Sequence, residues 1–289
     1  PPGSNPVTCW RDYRVCGGAV VSPITAPQYG SGGSLMSIAL QNLSIEISGT
    51  RICQGLDLEF STGQVWCVLG CNGVGKTTLL KTLAGLRPPN SGNVRLNGRP
   101  VQRVARRQRA QQLSILFQDS DTLFPTTVLE TVLTGRHPWI SPLRGEGAHD
   151  RDKAMAALER VGMAHLAERS MSSLSGGERR RVDLAAVFVQ ESECVLLDEP
   201  GNHLDMHHQV AVLGGMVQQW KSQGGLVILV MHDVNLALRF SDHLLLLFGD
   251  GEVEHGPAQA IATETTLTRL YRHRMMSLDS PQGRWYLPA

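Results

Sequence analysis

The apolar positions of this chain fall into short, dense runs separated by segments of helical spacing. Residues 64–69 read as a buried strand, and residues 113–117, 194–197, 226–231 and 244–248 repeat the pattern. Short continuous apolar runs of this kind suit parallel strands covered on both faces. Between them the period changes. Leu79, Leu80, Leu83 and Ala84 mark one side of a helix over 77–84, and Val182, Ala185, Ala186 and Val189 mark another. Met206, Val210, Leu213, Val217 and Trp220 mark a third, which Gly224-Gly225 ends. Strands alternating with helices predict an α/β fold built on a parallel sheet.

The flanking segments differ. Residues 36–47 partly alternate apolar and polar, as a half-exposed strand does, and a hairpin-rich lead-in continues to Phe60. Arg87-Pro88-Pro89-Asn90-Ser91-Gly92 stops the first helix, and a strand over 94–96 turns at Asn97-Gly98. Arg99, Arg103, Arg106, Arg107 and Arg109 read as a solvated basic helix, with a DNA-binding stripe as the alternative. Helical patterns dominate 119–174, over 128–133 and 154–161, with Pro138 and Pro142 marking a loop between them. This region is expected to be a helical subdomain inserted into the α/β core. The last run, 244–248, turns at Asp250-Gly251; helices follow to about 274, and 284–287 reads as one more strand. Residues 1–35, rich in Pro, Gly and Ser, are expected to be disordered or to be an extension outside the working protein, with Met36 as a candidate start. The expected division is therefore 1–35, a folded unit over 36–257, and C-terminal helices with a short tail over 258–289.

Composition narrows the class. Apolar residues make up 42 % and charged residues 18 %, as in ordinary soluble globular proteins. A net charge of +1 offers no general attraction to nucleic acid or acidic membranes. No apolar run reaches the ~18 residues of a membrane span. The six cysteines read as free thiols in a reducing cytosol; Cys67 and Cys71 have no second pair with which to hold zinc.

Candidate chemistry begins after the first buried strand. Gly70-Cys71-Asn72-Gly73-Val74-Gly75-Lys76-Thr77-Thr78 fits the phosphate-binding pattern G-x-x-x-x-G-K-[ST], in the strand–loop–helix context that pattern needs. Glycines let backbone N–H groups curl around an anion, and the helix N-terminus adds its positive end. Lys76 supplies a charge for the β- and γ-phosphates, and the Thr77 hydroxyl is a ligand for Mg²⁺. Polar residues then recur at the ends of apolar strands: Gln118, Asp198-Glu199 and His232. Ligands of open parallel sheets bind at those ends. Asp198 is placed as an outer carboxylate for Mg²⁺, Glu199 as a general base, and His232 to contact the γ-phosphate or hold the attacking water.

The order Gly70 to Thr77, Gln118, Leu174-Ser175-Gly176-Gly177-Glu178, Leu196-Leu197-Asp198-Glu199-Pro200, Leu204-Asp205 and His232 resembles the ATP-binding cassette of ABC transporters, over about 36–257. The resemblance implies a P-loop NTPase core with an N-terminal antiparallel β subdomain and an inserted α-helical subdomain. It implies that Gln118 faces Mg²⁺ and a transmembrane partner, and that His232 is the switch histidine. It also implies a homodimer. Two cassettes face head to tail, and each ATP lies between one phosphate loop (Gly70, Asn72, Gly73, Gly75, Lys76, Thr77, Thr78) and the other chain's Ser175, Gly176 and Gly177, with Leu204-Asp205 as the D-loop. Ser175 and Glu178 have capping-box spacing, so the N–H groups that follow suit a γ-phosphate approaching from outside.

Three departures stand out. Cys71 replaces a common proline, Gly201 varies, and no aromatic residue occurs over 45–51, where the family stacks adenine. The stretch Thr127-Val128-Leu129-Glu130-Thr131-Val132-Leu133-Thr134-Gly135-Arg136-His137-Pro138 is similar to importers of iron-siderophores, haem and vitamin B12. The resemblance thus implies the ATP-hydrolysing, energy-coupling subunit of a bacterial importer. Such a subunit is peripheral on the cytoplasmic face of the inner membrane, bound to permease subunits, served indirectly by a periplasmic substrate-binding protein, and without nucleic acid. The alternatives are a soluble ABC-type ATPase acting on nucleic acid or ribosomes, which usually carries two cassettes or a long coiled coil, and a P-loop kinase or GTPase, which leaves Leu174 to Glu178 and His232 unexplained.

Overall fold

The computed structural model describes residues 36–118, 125–141, 143, 145–205, 208–281 and 283–289. The expectation for 1–35 and the roles given to Met206 and Pro142 lie outside the described residues, as does the start of the helical region at 119–124. In chain order the first half runs β1 (Ser37–Ile47), β2 (Thr50–Ser61), β3 (Val65–Gly70), α1 (Lys76–Leu83), β4 (Ser91–Leu96), β5 (Arg99–Pro100), α2 (Arg106–Gln112) and β6 (Leu113–Leu116). Three helices follow, α3 (Val128–Leu133), α4 (Ala148–Arg160) and α5 (Gly176–Val189), then β7 (Cys194–Asp198), α6 (Gly214–Ser222) and β8 (Leu226–Val230). The chain ends with α7 (Val234–Phe240), β9 (His243–Leu247), β10 (Val253–Pro257), α8 (Ala258–Ile261), α9 (Glu264–Tyr271), β11 (Met275–Ser280) and β12 (Gly283–Pro288).

The central sheet has the order β10-β9-β3-β8-β7-β6, parallel except for the edge strand β10. Every residue of β3, β7 and β8 is buried, which is why these strands read as uninterrupted apolar runs. The pleat then divides them between two cores. Val65, Cys67 and Leu69 join a core with the helices α3 to α7, whereas Trp66 and Val68 join one with α1 and the antiparallel sheet β2-β1-β4-β5. The alternation continues in the neighbours: Val195 and Leu197 face the first core, Cys194 and Leu196 the second.

The sequence reading missed β10, because Val253-Glu254-His255-Gly256-Pro257 has almost no apolar content. An edge strand with charge and a terminal proline needs none, since only one side pairs and little is covered. The C-terminal strand expected over 284–287 is half of a hairpin: β11 pairs with β12 in the register Met276↔Leu287 and Leu278↔Trp285. The third helix opens as a π-helical turn, Gln209–Leu213, before α6. The arginine stretch is solvent-facing, as expected, but only partly helical. Only Arg106, Arg107 and Arg109 lie in α2; Arg107 donates to the carbonyls of Pro138 and Ile140, and Arg109 to those of Gly85 and Val101.

The helical region closes on α5 at one tight contact. A Cβ on Gly135 would lie 2.1 Å from the Ala186 carbonyl oxygen, so only glycine permits this approach. Arg136 follows and is buried. It donates to the Val189 carbonyl at the C-terminal end of α5 (3.0 Å), to Asp150 of α4 (3.0 Å) and to Glu191 (2.9 Å). A cation there meets the negative end of the helix dipole. The Gly-Arg pair is thereby a structural joint between α3, α4 and α5.

Candidate functional site

The parallel strands bring their carboxyl ends to one edge. Val68 of β3 and Asp198 of β7 both lie beside Val230 of β8, and Leu116 of β6 lies beside Leu197. The loops that leave these four strands therefore share one rim.

After β3 the backbone turns through Gly73 (φ 76°) and Gly75 (φ 103°), values that favour glycine. Gly75 is the N-cap of α1, with no side-chain cap and no acidic residue in the first turn, so the leading N–H groups stay open to an anion. Asn72 and Gly73 are exposed at the loop's crest, and Thr77 and Thr78 are half-buried in the first turn. Lys76 is buried and folds back on the loop, donating to the carbonyls of Gly70 (2.8 Å) and Cys71 (3.0 Å). Burial holds its ammonium below the usual lysine value, while Glu199 and then Asp198 pull it up. Cys71, in place of proline, donates its thiol to the Leu270 carbonyl at 3.1 Å, so α9 touches the phosphate loop.

Asp198 is 1 % exposed, and among the described residues neither of its carboxylate oxygens has a hydrogen-bond partner. Burial pushes its carboxyl above the usual range. The Thr77 hydroxyl lies close enough to oppose that shift without hydrogen-bond geometry, and the charge of Glu199 adds to it. Glu199 follows with φ at 47°, in the left-handed region that a side chain other than glycine rarely enters and that gathers at functional sites. The Glu199 N–H is bonded to the Val230 carbonyl (3.1 Å), which pins the residue to β8. Its carboxylate is bound by the His232 ring Nε2 on one oxygen and the Asn202 amide on the other. His232 in turn has its carbonyl held by the Tyr271 hydroxyl of α9 (3.2 Å).

Lys76, Thr77, Asp198, Glu199 and His232 are thus brought together. Gln118 is exposed just beyond β6, linked to the carboxylate strand through its carbonyl, which accepts from Arg180 (3.3 Å). Ser175 and Gly176 are exposed at the start of α5, which carries the predicted capping box: the Ser175 Oγ accepts from the Glu178 N–H (3.3 Å), and the Ser175 N–H donates to the Glu178 carboxylate (2.8 Å). The neighbours of Gly176 and Gly177 are atoms of His203. Asp205 is turned to the His208 N–H (2.8 Å) and ring Nδ1 (2.9 Å).

Two contributors escaped the sequence reading. Asn202, just ahead of Leu204-Asp205, received no role from the sequence, yet it holds Glu199; a polar residue three positions after a strand-end glutamate was the only available hint. Arg180 lay within an arginine triplet on α5, and nothing in the sequence separates it from its exposed neighbour Arg179. Its guanidinium donates to the carbonyls of Phe117, Gln118, Asp198, Glu199 and Pro200.

A phosphate loop on the central strand, with a buried carboxylate pair two strands away, is the arrangement of a P-loop nucleoside triphosphatase. The chain belongs to the ABC transporter family, whose domain model matches residues 53–202, and it is an ATP-binding ATPase of that family. It is 35 % identical to the hemin import ATP-binding protein of Nocardia farcinica (strain IFM 10152), over 89 % of this chain and 88 % of that one. It is 33 % identical to the ferric enterobactin transport ATP-binding protein of Escherichia coli (strain K12), over 83 % and 89 %. Among solved structures, a metal-chelate type ABC transporter in an inward-facing conformation superposes with a TM-score of 0.76 at 28 % identity, covering 88 % of this chain and 98 % of that one. Among the described residues no helix is long and apolar enough to cross a membrane.

Proposed function

We propose that this chain is the energy-coupling ATPase subunit of an importer for an iron chelate, a siderophore complex or haem. The relatives above carry hemin and ferric enterobactin in their names, and cobalamin, the third cargo raised by the motif over 127–138, becomes an outcome of the cargo test. In this reading two copies close head to tail over two ATP molecules, reopen on hydrolysis, and pass the motion through the helical region to permease subunits at the cytoplasmic face of the membrane. A periplasmic substrate-binding protein delivers the cargo. Action on nucleic acid is not favoured, given the net charge of +1 and the transport relatives.

The observation that carries the catalytic part is Glu199. It is buried, held in a left-handed backbone conformation and gripped between His232 and Asn202, one residue beyond Asp198. A carboxylate so oriented accepts the proton of a water attacking the γ-phosphate. His232 positions that carboxylate, and Lys76, released from the Gly70 and Cys71 carbonyls, meets the β- and γ-phosphates. The Asp198 oxygens without donors, beside the Thr77 hydroxyl, fit Mg²⁺, which one or two carboxylates and the nucleotide's phosphates usually hold. Thr77 and Asp198 would hold that ion, with Gln118 as a third oxygen donor, and its charge would offset that of the phosphates.

The test is Glu199→Gln. The variant keeps shape and loses basicity, so it should bind ATP, lose turnover by at least about 100-fold and accumulate as an ATP-dependent dimer in size-exclusion chromatography. Hydrolysis at the native rate overturns the assignment. ATPase stimulation in vesicles holding the permease, with ferric siderophore, haem or cobalamin offered in turn, identifies the cargo.

A further inference from the structure

Arg180 touches three parts of the machinery at once. It lies in the second turn of α5 and is 3 % exposed. Nη2 donates to the carbonyls of Asp198 (2.6 Å) and Glu199 (2.7 Å), and Nε to that of Pro200 (3.3 Å). Nη1 donates to the carbonyls of Phe117 (2.7 Å) and Gln118 (3.3 Å). One planar, rigid fork thus spans the ends of β6 and β7 and joins both to α5. The helix start makes a second contact with the same loop, since a Cβ on Gly177 would lie 2.8 Å from the His203 carbonyl oxygen. Arginine suits this place because its donors are fixed in a plane; lysine offers a point charge on a flexible stem.

We propose that Arg180 is a positioning residue through which the two ATP sites of a dimer respond to each other. The proposal rests on the head-to-tail reading above. In that arrangement the start of α5 serves the ATP bound mainly by the partner, whereas Asp198 and Glu199 serve the chain's own ATP. The Arg180 fork ties the first to the second. When a γ-phosphate draws in the Ser175-Gly176-Gly177 turn, α5 shifts, and the carbonyls of Asp198, Glu199 and Gln118 move with it. The backbone at Glu199 is poised for such an effect, because its left-handed conformation is held by the Val230 carbonyl on one side and the Arg180 guanidinium on the other. Nothing in this role requires Arg180 to touch nucleotide. Its loss therefore falls on turnover and on cooperativity between sites, with ATP affinity preserved.

The experiment compares steady-state ATPase of the full chain with Arg180→Gln and Arg180→Lys across ATP concentrations. The unsubstituted chain is expected to give a sigmoidal curve. Arg180→Gln should lower kcat about tenfold, leave KM within about threefold and bring the Hill coefficient to unity. Arg180→Lys keeps the charge and loses the fork, so it should show the same loss of sigmoidicity with a smaller fall in kcat. Unchanged kcat and sigmoidicity in Arg180→Gln overturn the proposal, as does a raised KM at constant kcat. If Arg180→Gln melts below the assay temperature, Arg180→Lys decides, and a native curve from it overturns the proposal. Glu199→Gln separates the two levels. If it forms no ATP-dependent dimer, the head-to-tail reading falls. If it dimerises while the unsubstituted chain gives a hyperbolic curve, only the role of Arg180 falls.

Discussion

Asp198→Asn sets stability against function at a single side chain. The Asp198 carboxylate is buried at 1 % exposure, and among the described residues neither oxygen accepts a hydrogen bond. A neutral buried group left unpaired costs about 1–3 kcal/mol, and a charged one costs more. The Thr77 hydroxyl, then the charges of Arg180 and Lys76, return part of that cost, because all three oppose the upward shift of this carboxyl. Asparagine replaces a charged orphan by a neutral one of the same shape, so the nucleotide-free chain should gain about 1–2 kcal/mol. For a folded unit of this size that corresponds to a Tm raised by about 3–6 °C. The pH dependence has a definite sign. Since burial holds the Asp198 carboxyl above its unfolded value, the folded state binds the extra proton, and the penalty operates above the folded pKa. It is relieved as pH falls through that value toward the ordinary carboxylate range. The advantage of Asp198→Asn should therefore be largest near neutrality and shrink on acidification. Calorimetry in chelator at several pH values measures this directly. Mg²⁺ with ATP should reverse the order: a ligand at a hundredfold excess over Kd adds about 2.7 kcal/mol, which the variant largely forgoes. An Asp198→Asn chain that melts below the parent in chelator near pH 7, or a gap that does not move with pH, refutes the reasoning.

Gly135→Ala places a methyl 2.1 Å from the backbone oxygen of Ala186, where no flexible side chain can yield, so it should destabilise by about 1–3 kcal/mol or more in chemical denaturation while leaving the phosphate loop intact. Ser175→Ala removes the N-cap of α5 and should cost about 1 kcal/mol of stability by thermal melt. Its larger effect is expected on turnover and on the ATP-dependent dimer, because in the proposed head-to-tail dimer the cap orients the N–H groups offered to the partner's ATP. Activity unchanged in Ser175→Ala would remove that half-site from the mechanism.

What the sequence determined by itself was local. Strands β3, β7 and β8 were legible because burial on both faces leaves them no polar alternation, and the phosphate loop because its glycines, Lys76 and Thr77 are consecutive. The strand-end placement of Gln118, Asp198-Glu199 and His232 followed from the same runs, since a parallel sheet gathers its carboxyl ends at one edge. The edge strand β10 was not legible, because pairing on one side asks for backbone and little apolar content. Nor could residue type reveal Arg180 or Asn202. Their partners are, respectively, main-chain carbonyls that every residue possesses and a carboxylate already assigned to chemistry. Packing in three dimensions alone turns one arginine of the three inward across five carbonyls and leaves both Asp198 oxygens without a hydrogen-bond partner among the described residues. Both depend on how far apart β6, β7 and α5 settle, a distance set by packing such as that of Gly135 on Ala186 and carried by no single stretch of the chain.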